Sequence, residues 1–172
     1  MPELIYNRPI RLLEQWNIAH GDTTHTFSNL NGNADIFYIL SGRVETHSTT
    51  GRNIFARPNG ASSQFAAAGH SGGSDGHGGW NSGYTGWRVC YGGAQPIIAI
   101  FEAIIYAKAV AGQKRMFQSN SSLWSYPANN YNQNVHEGGE WQNDAQANIT
   151  SLVFLIDGDH FNSGVVRLYK LV

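Results

Sequence analysis

The sequence predicts an all-β fold: a single-domain, jelly-roll-like β-sandwich of roughly eight strands. Short apolar runs rich in β-branched and aromatic residues recur along the chain, and Gly, Asn and Ser turn signals separate them. Charged residues make up only 13% of the chain, so amides, hydroxyls and glycines carry its polarity. A length of 172 residues suits one domain, and no linker or internal repeat divides residues 1–172.

Residues 149–172 give the strongest local signal. They read as two apolar runs, ITSLVFLID and VVRLYKLV, joined by the polar connector GDHFNSG. This composition is typical of two strands and a turn. Side chains alternate across a strand, and both faces of the first run are largely apolar: Thr150, Leu152, Phe154 and Ile156 against Ile149, Val153 and Leu155. We therefore expect a C-terminal β-hairpin that is buried on both sides.

The other apolar runs predict the remaining elements. Residues 10–18 fit either an amphipathic helix through Leu12, Leu13 and Trp16 or a strand, because the period of a short apolar run does not decide between them. Strands are also expected at 23–27, 35–47, 53–57, 97–110, 113–119 and 123–126, and residues 127–146 read as a polar loop.

A long loop rich in glycine and aromatic residues is expected at residues 69–93. This stretch holds ten of the chain's 20 glycines, and each glycine raises the entropy lost on ordering. Its aromatic residues are the candidate partner-binding or glycan-binding residues: Trp80, Tyr84, Trp87 and Tyr91. Exposed rings would stack on sugars, with Asp75, His77 and Asn81 as polar neighbours. The alternative is that the rings fold the loop onto the sheet, since aromatic side chains supply large apolar area.

Candidate metal-binding residues lack a familiar spacing. The chain has seven histidines, and none is placed in a zinc-site pattern with another histidine, a cysteine or a carboxylate. Asp157-Gly158-Asp159 matches only a fragment of a calcium loop. We therefore expect no metal site and no cofactor.

Catalytic patterns are also missing from the sequence. A glycosidase needs two positioned carboxylates, and the available acids, Glu102, Glu137, Glu140 and Asp144, belong to no motif. The chain contains no nucleophile elbow, P-loop or dinucleotide fingerprint. The sequence therefore favours a protein that is not an enzyme.

Net charge, hydropathy and cysteine content indicate which partners and which cellular compartment to expect for this chain. The net charge of −1 offers no basic stripe for nucleic acid, and no apolar run of membrane-spanning length occurs. The N-terminus does not resemble a signal peptide. The single cysteine, Cys90, allows no internal disulfide and suits synthesis in a reducing cytoplasm.

The C-terminal sequence motifs resemble those at the ends of small jelly-roll virion proteins of tailed bacteriophages. Those proteins often end in an I-T-S-L-x-F strand, a turn carrying Gly, Phe, Ser and Gly, and a strand with L-Y-x-L. The matching residues are Ile149, Thr150, Ser151, Leu152, Phe154, Gly158, Phe161, Ser163, Gly164, Leu168, Tyr169 and Leu171. Weaker similarity at 35–44, 54–60 and 98–107 extends the resemblance to roughly two thirds of the chain.

The resemblance implies a jelly-roll fold, a strand at residues 10–18 and a place on the outer surface of the virion. Because the 172 residues include no shaft or coiled coil, the expected function is capsid decoration, or cementing. Such a protein would bind the major capsid protein outside the head as a homotrimer and bridge capsomers. The alternative is a lectin-like tail or baseplate module that recognises host surface glycan. A third possibility is a carbohydrate-active enzyme domain.

Overall fold

A computed structural model describes residues 9–47, 52–71, 81–92, 96–108, 114–125, 132–142 and 147–171. These residues form twelve β-strands and no helix, so none of them belongs to a helix long and apolar enough to cross a membrane. The strands are β1 Ile10–Ile18, β2 Thr24–Phe27, β3 Phe37–Thr46, β4 Arg52–Pro58, β5 Phe65–Ser71, β6 Asn81–Tyr84, β7 Trp87–Gly92, β8 Ile97–Tyr106, β9 Arg115–Ser125, β10 Asn132–Trp141, β11 Leu152–Ile156 and β12 Phe161–Leu171.

The strands form two antiparallel sheets. The larger sheet has the order β1-β12-β3-β8-β9-β10-β5-β6, and the smaller has the order β2-β11-β4-β7. Eight of these strands pair in a nested way: β1 with β12, β2 with β11, β3 with β8, and β4 with β7. This wrapping is that of a jelly roll. The predicted all-β, jelly-roll-like sandwich is confirmed.

Four further strands lengthen the larger sheet beyond β8. The chain continues from β8 into β9 and β10, and the β5–β6 pair completes that edge. Strand β7 of the smaller sheet lies against β8, β9 and β10. The larger sheet therefore has an inner face under the smaller sheet and a broad outer face.

Aromatic rings join the two sheets in the core. Phe154 of β11 stacks on Phe101 of β8 at 5.4 Å between ring centroids and on Phe161 of β12 at 5.8 Å. Trp16 of β1 meets both Phe154 and Phe161 edge-on. Burying rings of this size contributes much of the hydrophobic free energy of such a core. The first and last strands of the chain thus share one cluster with the smaller sheet.

The C-terminal hairpin prediction for residues 149–172 is wrong. Strand β11 lies between β2 and β4 in the smaller sheet, whereas β12 lies between β1 and β3 in the larger one. The connector between them carries the chain from one sheet to the other, with Gly158 at φ 69°. In β11 one face is buried and the other is partly buried, and the turn composition alone does not say whether the flanking strands pair.

The prediction of one long loop at residues 69–93 is also wrong in its described parts. Strand β5 continues to Ser71, and β6 and β7 occupy most of 81–92. Glycine content hides β7, whose Trp87, Val89 and Cys90 are buried. Residues 72–80 and 93 of the predicted loop lie outside the described residues.

The polar loop predicted at 127–146 contains strand β10. It pairs with β9 on one side and β5 on the other, which satisfies its backbone despite the low β-propensity of Asn, Gln and Gly. Position 139 requires glycine because the neighbouring backbone approaches closely there: a Cβ would lie 2.4 Å from the carbonyl oxygen of Ala66.

The two strands expected at 113–119 and 123–126 are one strand, β9. The strand alternative for residues 10–18 is confirmed by β1.

Candidate functional site

Polar side chains gather in two rows on the outer face of the larger sheet. Register across β12, β3, β8, β9 and β10 sets both rows, because alternate residues of each strand point outward. The first row is Arg167, Ser41, Glu102, Asn120 and His136. The second row is Arg43, Ser122 and Asn134, and the apolar Val165 and Ile100 lie in register with them. We call these the polar rows.

The polar rows line a groove of about 680 Å³. That volume falls within the range of roughly 300–1,000 Å³ that small-molecule sites occupy. Arg43 and Arg167 stand on one side of the carboxylate of Glu102, and the amide of Asn120 and the imidazole of His136 stand on the other. The groove therefore offers both charges and several hydrogen-bonding groups to one occupant.

Hydrogen bonds hold several of these groups in place. The Nδ1 atom of His136 lies 2.5 Å from Oδ1 of Asn120, and the hydroxyl of Ser122 donates to Oδ1 of Asn134 at 2.7 Å. These contacts fix Asn120 against His136 and Ser122 against Asn134 on the outer face of the sheet.

Two apolar patches flank the polar rows. The Tyr106 patch consists of Tyr106 and Met116, which are register partners on β8 and β9, beside a hollow of about 400 Å³ next to Gly138 and Gly139. The Trp124 patch consists of Trp124 of β9 and Ile100 of β8. These four side chains are 47–59% exposed. At about 3.4 Å per residue, the Tyr106 and Ile100 positions on β8 lie roughly 20 Å apart.

Trp87, one of the predicted site residues, belongs to the core. Its side chain is fully buried, stacks on Phe117 at 5.5 Å and meets Phe65 edge-on at 5.9 Å. The expectation that it forms part of a surface platform is wrong, because β7 packs this ring between the sheets. Tyr84 and Tyr91 lie on β6 and β7, but their side chains, like all of Trp80, are outside the described residues.

The acids that the sequence offered for catalysis are divided between the two faces of the larger sheet. Glu137 points inward, where Nε of Arg88 donates to its Oε1 at 2.6 Å, whereas Glu102 points into the outer groove. Burial raises the pKa of Glu137, and the Arg88 guanidinium opposes that shift. Glu140 lies on the opposite face of β10 from Glu137, and Asp144 is outside the described residues. The Glu137–Arg88 pair ties β10 to β7 inside the sandwich.

Sequence reasoning missed the polar rows and the apolar patches. Their residues come from five strands, and only strand register makes them neighbours. The one available signal was the alternation along β8 and β9. At every second position stands a residue that is either polar or both large and apolar. That alternation predicts an outward face but not what lies beside it.

No protein-family model matches this chain, and no curated protein matches it. Among solved structures, the crystal structure of the infectious bursal disease virus VP2 subviral particle aligns with 96% of this chain and 42% of that chain. The aligned residues are 14% identical, and the TM-score is 0.13. The chain therefore spans less than half the length of that capsid protein, and a TM-score this low carries no argument about fold or function.

Proposed function

We propose that this chain is a capsid decoration protein of a tailed bacteriophage. It binds the major capsid protein on the outer surface of the assembled head, contacts neighbouring copies of itself and stabilises the shell. The observation that carries this proposal is the pair of separate apolar patches on one rigid sheet face. The resemblance of the C-terminal strands to phage virion proteins supplies the setting.

Exposed apolar patches of this kind favour contact with other proteins. Tyr106, Met116, Ile100 and Trp124 stand on strands that are hydrogen-bonded on both sides, so binding needs little ordering of the backbone. Aromatic residues and methionine are enriched at protein interfaces. Both patches therefore suit burial against a partner.

Bridging needs two contacts on one molecule. A decoration protein that holds neighbouring capsomers together binds the shell and its own copies at the same time. Patches roughly 20 Å apart along β8 allow both contacts without overlap. Closed cyclic symmetry is the rule for homo-oligomers, and a homotrimer fits the local threefold positions of a shell. Shell stabilisation then comes from surface burial across subunits and involves no chemical step.

Particles that lack this protein provide the direct test. Purified protein is added back, and bound copies per particle are counted by gel densitometry and located by electron microscopy. Tens to hundreds of copies on the head would support the proposal. A handful of copies confined to the tail, or no attachment, would contradict it.

Patch variants sharpen the test. Tyr106→Ser with Met116→Ser removes one patch, and Ile100→Ser with Trp124→Ser removes the other. One pair should abolish the trimer seen by light scattering, and the other should abolish attachment to heads. Ile10→Ser, which removes an equally exposed apolar side chain on edge strand β1, is the matched control and should change neither. Full assembly and attachment by both double variants would refute the two-patch proposal.

Glycan recognition by the polar rows is a second candidate function, and the groove itself favours it. Sugar hydroxyls need donors and acceptors at fixed positions, and the Asn120–His136 and Ser122–Asn134 pairs supply them. Under this proposal the chain is a lectin-like receptor-binding module of the tail or baseplate. A glycan array tests it with Asn120→Ala and Glu102→Gln as loss-of-binding variants. An array without any bound glycan would rule this second function out.

A further inference from the structure

Two histidines and an aspartate meet at the end of the sandwich where β3 finishes and the β11–β12 connector passes. His47 directly follows β3, and Asp159 and His160 lie in the connector just before β12. One ligand atom from each of the three residues lies within 4.8 Å of the other two. The fold therefore assembles a group of nitrogen and oxygen donors from residues far apart in the sequence.

The distances resemble those around a coordinated ion. Oδ1 of Asp159 lies 3.2 Å from Nδ1 of His160 and 3.7 Å from Nδ1 of His47. Two ligands that each stand about 2.0–2.1 Å from a tetrahedral zinc ion are roughly 3.4 Å apart. Side-chain rotation that separates the stacked rings of His47 and His160 would bring all three atoms into one coordination sphere.

The backbone keeps the three residues together without a metal. The amide of His47 donates to the carbonyl oxygen of His160 at 3.1 Å, and the amide of His160 donates to Oδ1 of Asp159 at 2.8 Å. The His47 and His160 rings stack at 4.4 Å between centroids. His20 meets the His160 ring edge-on at 5.1 Å. Side-chain exposures of 51% for His47, 28% for His160 and 13% for Asp159 leave a path for an ion from water.

We propose that His47, Asp159 and His160 form a binding site for one divalent transition-metal ion, with zinc as the best match. Imidazole nitrogens select zinc, copper, nickel and cobalt, whereas calcium and magnesium need more oxygen ligands than these residues provide. Water would fill the remaining position. Because the site links the end of β3 to the β11–β12 connector, the ion binds the folded state and raises its stability by mass action.

Calorimetric titration tests the proposal on the full chain, freed of any affinity tag and treated with a chelator. Zinc chloride should bind with one equivalent per chain, and it should raise the melting temperature. Calcium chloride should do neither. Cobalt chloride should give the visible absorption of a low-symmetry site. Failure to bind zinc at millimolar concentration would overturn the proposal.

Substitutions distinguish zinc binding at this site from zinc binding by scattered surface histidines. His47→Ala, His160→Ala and Asp159→Asn should each weaken zinc binding by about tenfold or more, since removing even an outer partner of a metal ligand typically costs that much. Asp159→Asn keeps an oxygen that can accept from the His160 amide, so its melting temperature without metal reports whether the fold is intact. His136→Ala, in the outer groove, is the control and should leave binding unchanged. Unaltered affinity in a His47→Ala, Asp159→Asn double variant would also overturn the proposal.

Discussion

Trp87 shows that an aromatic residue in a glycine-rich stretch can be a core residue. Its ring fills the space where β7 crosses the added strands of the larger sheet, between Phe117 of β9 and Phe65 of β5. Trp124, in contrast, stands half exposed on the outer face of β9. The two tryptophans therefore form a matched pair: the side chain is the same, and its burial differs.

Replacing each tryptophan by alanine should separate stability from binding. Trp87→Ala should lower the free energy of unfolding by about 3–5 kcal/mol, because it leaves a large cavity. Trp124→Ala should lower it by less than about 1 kcal/mol, as is usual for surface positions. Urea denaturation followed by circular dichroism measures both. Equal losses for the two variants would contradict the placement of Trp87.

Cys90 should be unreactive in the folded protein. Its thiol is fully buried, and this burial raises its pKa from 9.0 to about 12. A thiol reagent at pH 8 should therefore modify no cysteine in the native chain and one equivalent after unfolding in guanidinium. The raised pKa also implies that folding stability declines as pH rises above about 9, because the unfolded thiol ionises first. Rapid native-state modification would contradict this assignment.

At the scale of elements, the sequence predicted strands wherever the chain is apolar. Strands β3, β4, β8, β11 and β12 coincide with apolar runs, since burial on a sheet face demands those side chains. Strand β10 was not predicted, because its residues have a weak intrinsic β-propensity. Its backbone hydrogen bonds to β9 and β5 stabilise it nonetheless. Its inward residues Val135, Glu137 and Trp141 alternate, but polar neighbours mask the pattern.

The candidate sites were beyond sequence reasoning for a related reason. Glu102, Asn120 and His136 become neighbours only through the register of β8, β9 and β10. Register depends on which strands pair, and one residue of slip moves every side chain to the other face. The same holds for His47 and Asp159, which jelly-roll wrapping brings together from the end of β3 and the last connector.

Strand β12 should be indispensable because it lies between β1 and β3. Deleting residues 161–172 would remove the buried Phe161, Val166, Leu168 and Leu171. Each is worth roughly 1.5–3 kcal/mol when fully buried, against total stabilities of about 5–15 kcal/mol. The shortened chain should lose its cooperative melting transition by circular dichroism, and a synthetic peptide of residues 161–172 should restore it. A shortened chain that melts like the parent would refute the central position of β12.

At the scale of the whole molecule, nested pairing joins strands that are far apart in the sequence. Ile10 pairs with Leu171, and Thr24 with Leu155, so the first two strands pair with the last two. Closing such loops costs chain entropy before any contact repays it. The larger sheet cannot be completed until β12 is available, since both β1 and β3 pair with it.

Refolding from urea should therefore be slow for a domain of this size. Folds dominated by distant β pairings fold in about milliseconds to seconds, whereas local helical bundles need microseconds to milliseconds. Stopped-flow fluorescence reports the step directly, because Trp87 passes from water to a fully buried site. A double-jump experiment with a brief unfolding pulse separates this phase from proline isomerisation, which needs tens of seconds or more to develop in the unfolded chain. Recovery of the full native signal within the instrument's dead time would show that the nested pairings do not limit folding.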